Sequence, residues 1–234
     1  SGEERMRVTI SNDVFTRFNS RLKIILVDVR EIDNKIHVKE SSHLLQEIAQ
    51  LIRMTFNEDT IKTHGLISPW VTAQQEFGSA AKHYQTSVEH YLKQVLRKKD
   101  VRTNNVMTNL IRYLSLKHLV PIGIDDVAQV RGNLTFGIAQ GAERVDFIHT
   151  LKRGAFYYRD ERGILGTKLD YWKSSKTRLK AKSKHVLIHL EVLPPLQMKR
   201  ERELLVELSS LIKTFCGGTV KVKMLDKKKR SCVL

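Results

Sequence analysis

The chain reads as an α+β protein forming one compact domain, and three observations predict this. Helix signals cluster in the first half of the sequence and strand signals in the second, rather than interleaving as repeated βαβ units. No internal repeat and no linker rich in Pro, Gly or Ser divides the chain. Its 234 residues, 41% of them hydrophobic, are enough to bury a sizeable core.

The elements follow in order. Lys23 to Val29 (KIILVDV) is a short apolar, β-branched run bounded by polar residues, which fits a buried strand. Ser41 or Ser42 can cap a helix that places Leu44, Leu45, Ile48, Leu51 and Ile52 on one face. Ser68-Pro69-Trp70 repeats the start signal, with proline at the first helical position, where its missing N–H costs nothing. Thr86 and Glu89 have the spacing of a capping box; Val88, Tyr91, Leu92 and Val95 form the stripe behind it, and Arg97-Lys98-Lys99 complements the negative end of the helix dipole. A further helix is expected from about Asn105 to Lys117, with Val106, Leu110, Ile111 and Leu114 inward, before Pro121 and Gly123 force a turn.

Leu134 to Ala139, Phe156 to Arg159, His185 to Val192 and Thr219 to Met224 then read as strands; in the last, Val220, Val222 and Met224 alternate with lysines. Between the last two lies an amphipathic helix, Lys199 to Phe215, stopped by Gly217-Gly218. These elements divide the chain into an N-terminal extension (1–19), a body (20–224) and a basic C-terminal tail (225–234).

Charge narrows the class of partner. Lys plus Arg number 41 against 25 Asp plus Glu, a formal net charge of +16. Such a surface favours polyanions, because phosphate-bound counterions are released on contact. Cys216 and Cys232 form neither a CxxC pair nor a disulfide framework, so a cytoplasmic location is expected. No apolar run is long enough to span a bilayer, and the cysteine of the final SCVL stands third from the end, where a prenylation signal needs it fourth. Nothing points to a membrane or to DNA.

The usual catalytic fingerprints are missing: there is no HExxH, no GxxxxGK[ST], no GxGxxG after a strand and no GxSxG. His185 and His189 are four apart, but on a strand that spacing separates them too far to favour a shared metal, and metal-free, cofactor-free chemistry is expected. What remains is a set of polar residues at element ends. Asn109 stands amid Val106, Met107, Leu110 and Ile111 with an amide that both donates and accepts; it reads either as a pocket residue or as a helix-surface one. Gly123 lies in a bend that would let a ligand approach backbone N–H groups, or in an ordinary turn. Glu191, inside an apolar strand, should be paired, face a cavity or point outward, since a lone buried carboxylate is costly. Ser87 and Glu89 serve most economically as helix caps, and Asp126 and Asp160 as turn formers. Lys173 to Lys184 (KSSKTRLKAKSK) carries Lys173, Lys176, Arg178, Lys180, Lys182 and Lys184 with no acidic residue, beside Tyr171-Trp172. Aromatic groups next to a basic run suit a single-stranded RNA end; a solvated loop is the plainer reading.

Several of these residues also carry a resemblance. Trp70 with Phe77-Gly78, Ser87-Val88-Glu89, Asn109 followed by Ser115-Leu116-Lys117, and Pro121 with Gly123 and Asp126 form a specific constellation. It continues in Gly132-Asn133, Gly141, Glu143, Tyr157-Tyr158-Arg159-Asp160, Trp172 and a closing strand ending in Glu191. Over roughly residues 20 to 215 the chain resembles the B3/B4 domain, the editing domain of the phenylalanyl-tRNA synthetase beta subunit, which also occurs as free-standing proteins. The resemblance implies a layered β/β/α sandwich and a free-standing deacylase that hydrolyses the ester of mischarged tRNA, with a non-catalytic tRNA-binding or RNA-binding module as the alternative. It implies catalytic roles for Asn109, Gly123 and Asp126, and substrate contacts from Glu191, Ser87, Glu89, Asp160 and Trp172. Glu191 would read the amino-acid side chain. The synthetase form has histidine at the place of Gly123, whereas free-standing members share the glycine. The implied partners are the aminoacylated acceptor end of tRNA and, more weakly, a synthetase. Because the ester is already labile, a positioned water and backbone oxyanion donors suffice without a nucleophile triad.

Overall fold

Two sheets and a layer of helices are built from these patterns in a computed structural model that describes residues 5–67, 86–167 and 173–234. The helix start at Ser68-Pro69-Trp70, the Phe77-Gly78 pair and Trp172 lie outside the described residues. Arg7–Ile10 (β1), Leu134–Ile138 (β4), Phe156–Arg159 (β5), Ile164–Thr167 (β6) and Ser231–Val233 (β9) form one sheet in the order β6-β5-β4-β1-β9. Only β1 and β4 pair in parallel there. Lys23–Arg30 (β2), Ile122–Asp126 (β3), Val186–Val192 (β7) and Thr219–Leu225 (β8) form the other, antiparallel throughout, in the order β3-β7-β2-β8. The described helices are Val38–Thr55 (α1), Ser87–Leu96 (α2), Val106–His118 (α3) and Met198–Phe215 (α4).

Strand periodicity decides the layering. Ile24 and Leu26 of β2 join Val8, Ile10, Phe136, Tyr158 and Leu187 in the core between the sheets. Their neighbours Ile25, Val27 and Val29 point the other way, into a core shared with Val106, Leu110 and Leu114 of α3 and Leu204, Leu208 and Ile212 of α4. Both faces of the second sheet are therefore apolar, which is why Lys23 to Val29 reads as a continuous run rather than an alternating one. A third cluster joins Leu45, Ile48 and Ile52 of α1 to Val88, Leu92 and Val95 of α2. The result is a β/β/α stack.

Several expectations meet corrections. The extension 1–19 and the tail 225–234 are not appendages: β1 lies inside the first sheet, flanked by β4 and β9, and β9 closes its edge with Cys232 buried. α1 starts ahead of Ser41 and Ser42, after His37 in a left-handed conformation, and Leu51 of α1 is exposed. Ile122 to Asp126, expected in a bend after Pro121, form β3; the chain reverses earlier, at left-handed Leu119. On β8 the alternation holds, but Val222 and Met224 face the helical side at the sheet edge and remain 46% and 44% exposed. Other readings match: Thr86 accepts a hydrogen bond from Glu89 N, Asn105 caps α3, and α4 ends just ahead of Gly217 and Gly218, both at positive φ.

Those two glycines differ in a way that can be measured. A Cβ on Gly217 meets nothing within 4 Å, whereas one on Gly218 would lie 2.4 Å from the carbonyl oxygen of Arg30. Gly217→Ala should cost about 1–2 kcal/mol from the left-handed backbone alone. Gly218→Ala should cost clearly more in urea unfolding, and equal losses would show that the β2 backbone yields without penalty.

Candidate functional site

The polar centre of the molecule lies between the sheets, on three strands whose pairing brings it together. β7 places Leu187, His189 and Glu191 on one face, opposite Asp125, Gly123 and Pro121 at the β3 side. Tyr158 enters from β5 of the other sheet. Asp125 is fully buried and is the hub of the cluster: Tyr158 Oη donates to its Oδ2 at 2.8 Å, and His189 Nε2 lies 3.1 Å from the same oxygen. Its Oδ1 accepts from the Lys173 ammonium and from the Thr177 hydroxyl. Lys173 also donates to Tyr158 Oη at 2.7 Å. On the far side of the imidazole, Nδ1 is 3.0 Å from Glu191 Oε1.

This arrangement has electrostatic consequences. Burial pushes the Asp125 carboxyl up, but the charge of Lys173 together with the His189 and Lys173 hydrogen bonds outweighs it and holds the group far below the ordinary aspartate value of 3.8. Burial, then the neighbouring Asp125 charge, raises the Tyr158 phenol well above its usual range, so it stays a donor. Both ring nitrogens of His189 face carboxylates, and the ring packs edge-on against Tyr158 and Phe136 at centroid distances of 4.9 and 5.6 Å. An imidazole held between two carboxylates in an apolar enclosure is an arrangement able to hold and pass a proton. Gly123 stands directly across from His189, so a side chain there would share the face of the imidazole.

The basic segment is fastened to this cluster. Thr177 binds Asp125, Leu179 joins the core beneath the helices, and Ser183 donates to Asp126 Oδ2 at 2.8 Å. Asn34 donates to the Lys180 carbonyl at 2.9 Å while accepting from Met107 N at the start of α3. Lys176, Arg178, Lys180, Lys182 and Lys184 consequently stand exposed on a fixed ridge rather than on a loose loop. Lys173 differs from them: its ammonium is committed to Asp125 and Tyr158, a correction to its expected place among the RNA-contacting cations.

The structure does not gather the remaining candidates at the same centre. Asn109 is buried in the helical layer, where it accepts from Thr103 and donates to Ser41, Ser42 and the Thr103 carbonyl, fixing the starts of α1 and α3. Asp126 accepts from Ala128 N and Ser183, and Asp160 accepts from the backbone of Arg131, Arg162 and Gly163 in the β5–β6 turn. Glu89 is buried on α2 with Lys93 at 3.4 Å, and Ser87 is the first residue of that helix. Asp126 and Asp160 accept from backbone N–H groups as the turn readings anticipate, whereas the cap of α2 is Thr86, with Ser87 its first residue and Glu89 contributing its backbone N–H. The bend expected to bring Gly123 to a ligand is instead an edge strand, in which Gly123 pairs with His189 of β7.

Sequence reasoning does not single out Asp125 or Thr177, and it meets Tyr158 only within the resemblance and His189 only as a metal ligand that it sets aside. One signal is present: His189 and Glu191 are two apart on an otherwise apolar strand, which puts two polar side chains on one face and calls for a polar partner opposite. His185 and His189 are served separately, His185 by Asp28 at 2.6 Å.

Asp125→Asn should destabilise the protein by about 3 kcal/mol, since it leaves the Lys173 ammonium without its counter-charge. The pH dependence has a definite sign. A carboxyl depressed on folding stabilises fully above its unfolded value of 3.8 and loses that contribution as pH falls below it. The gap between wild type and Asp125→Asn in chemical denaturation should therefore be constant near neutrality and narrow below about pH 4; a gap independent of pH would remove Asp125 from this role.

No curated protein matches the chain. Among solved structures it is similar to an N-terminal fragment of the phenylalanyl-tRNA synthetase beta-subunit from Pyrococcus horikoshii, at 10% identity and a TM-score of 0.40. The likeness covers 91% of this chain and 49% of that one, so the chain spans about half the length of that fragment. The B3/4 domain matches residues 72–214, from ahead of α2 to the last turn of α4, which is more than half of the sequence. With the buried centre on β3 and β7 and the basic ridge falling inside the matched stretch, the chain belongs to the B3/4 domain family.

Proposed function

We propose that this protein binds the acceptor end of tRNA along its basic ridge and hydrolyses the ester of wrongly charged aminoacyl-tRNA. The observation that carries the reading is the ridge itself: five exposed cations spaced along Lys176 to Lys184, locked by Thr177, Leu179 and Ser183 to the strands that hold the polar centre. Prepositioned cations bind a phosphate backbone without having to be ordered first. Membership of the B3/4 domain family supports tRNA as the polyanion. A separate hydrolytic site is what discrimination between near-isosteric amino acids requires, because binding alone separates them poorly. In this reading His189, which pairs with Gly123 across the strands, and Glu191 supply the proton-handling groups, and Glu191 reads the amino-acid side chain.

A second reading, tRNA binding without hydrolysis, is favoured by one specific observation. His189 and Glu191 are fully buried, while Asn109, Glu89 and Asp126 are engaged in holding the fold. Both readings share the ridge.

Two measurements test them. Replacing Lys176, Arg178, Lys180 and Lys182 with alanine should weaken tRNA binding and flatten the slope of log affinity against log salt by about 0.7 for each phosphate that is no longer neutralised. An unchanged slope would remove the ridge from the interface. Incubation with a panel of mischarged tRNAs should show loss of particular aminoacyl esters, and Glu191→Gln should reorder the panel while leaving tRNA affinity intact. Survival of every ester beside intact tRNA binding would leave the binding reading alone standing.

A further inference from the structure

A second group of cations gathers where the two sheets part at their β8 and β9 edges. The pairing of Asp28 with Lys221 and of Leu26 with Lys223 turns both lysines toward the other sheet rather than toward the helices. Arg30 and His185 stand beside them, and Arg5 comes from the chain entering β1. Together with Val127, Val233 and Leu234 they line a cleft of about 630 Å³. An adjoining cavity of about 430 Å³ shares Arg30 and His185 and adds Lys184, the last cation of the ridge. One exposed carboxylate, Glu31, lines that second cavity.

These side chains are held in place. Asp28, buried beneath the cleft, accepts from Arg30 Nε at 3.1 Å and lies 2.6 Å from His185 Nε2. Burial pushes the Asp28 carboxyl up, but its bonds and charge contacts with His185 and Arg30 prevail and keep it below the ordinary range. Lys223 is fixed through the Val233 carbonyl at 2.6 Å. A single buried carboxylate thus orients a guanidinium and an imidazole toward a volume that also receives two lysines and a second arginine. An anion entering the cleft can bridge several of these donors at once and gain from each of them. The fork of an arginine beside ammonium groups is suited to phosphate oxygens in particular.

We propose that this inter-sheet cleft is a phosphate-binding site. In the tRNA-bound protein the site holds backbone phosphates that continue the track begun on the ridge, with Lys184 as the joint between the two. That second statement rests on the tRNA reading above; the first does not.

The imidazole resonances of His185 report on the site, and inorganic pyrophosphate serves as the probe. Titration should shift the His185 ring signals in a saturable way, and Lys221→Gln with Lys223→Gln should weaken this at least tenfold while leaving the melting curve unchanged. Lack of a saturable shift in the wild type would overturn the site. Should the double variant disturb the fold through the Val233 contact, Lys221→Gln alone serves, with a smaller loss expected. Added tRNA should displace pyrophosphate from His185, and the double variant should reduce the salt slope of tRNA binding in addition to the effect of the ridge substitutions. Pyrophosphate binding that tRNA cannot displace would keep the site but overturn its place on the tRNA path. A ridge that binds tRNA beside a cleft that ignores both ligands would overturn the proposal and leave the tRNA reading intact.

Discussion

One carboxylate holds three parts of this molecule together. Asp125 is on the second sheet, Tyr158 on the first, and Lys173 and Thr177 on the segment that becomes the basic ridge; all meet at its two oxygens. A charged group without solvent is stable only when such partners are supplied together, because desolvation costs several kcal/mol per ion. The spacing of the sheets around it follows from what must fit there: a phenol, an imidazole and an ammonium, framed by the stacked rings of Phe136, Phe156 and Tyr158. Gly166 shows how tight the frame is, since a Cβ there would come within 2.7 Å of the Tyr158 ring.

What the sequence makes legible follows from which physical signals are local. The helices read well because caps and apolar stripes repeat within a few residues: the Thr86–Glu89 cap and the inward Val106, Leu110 and Leu114 are both found as expected. The strands β1, β6 and β9 are not legible. Each has only three or four residues and owes its form to pairing partners outside itself, in the case of Val8 and Cys232 from opposite ends of the chain. β3 reads as a turn because Pro121 and Gly123 are turn residues by habit; pairing with β7 overrides that habit.

The candidate site is legible in kind rather than in identity. Glu191 is rightly singled out as a carboxylate needing a partner, and that partner is His189. Of the adjacent pair Asp125 and Asp126, no local property reveals which faces the sheets' interior. Period two on β3 sends Asp125 to the polar centre and Asp126 to Ser183, so each aspartate anchors the basic segment from a different side. The ridge is thus better defined than its composition implies. Residues 173–184 look like a solvated, flexible run, yet Thr177, Leu179 and Ser183 are buried between exposed cations.

The closing of both sheets by the last strands has a consequence for how the chain acquires its structure. β2 cannot complete its pairing until β8 is available, and β1 gains its second neighbour only when β9 arrives, with Arg7 opposite Val233. Contacts of such sequence separation require large loops to close before they return any energy, which slows folding relative to helical proteins of equal size. While the chain is still emerging, the apolar edges of β1 and β2 are open to any passing strand. The high positive charge of the unfinished protein then acts in a second capacity, keeping nascent copies apart until the edges are sealed.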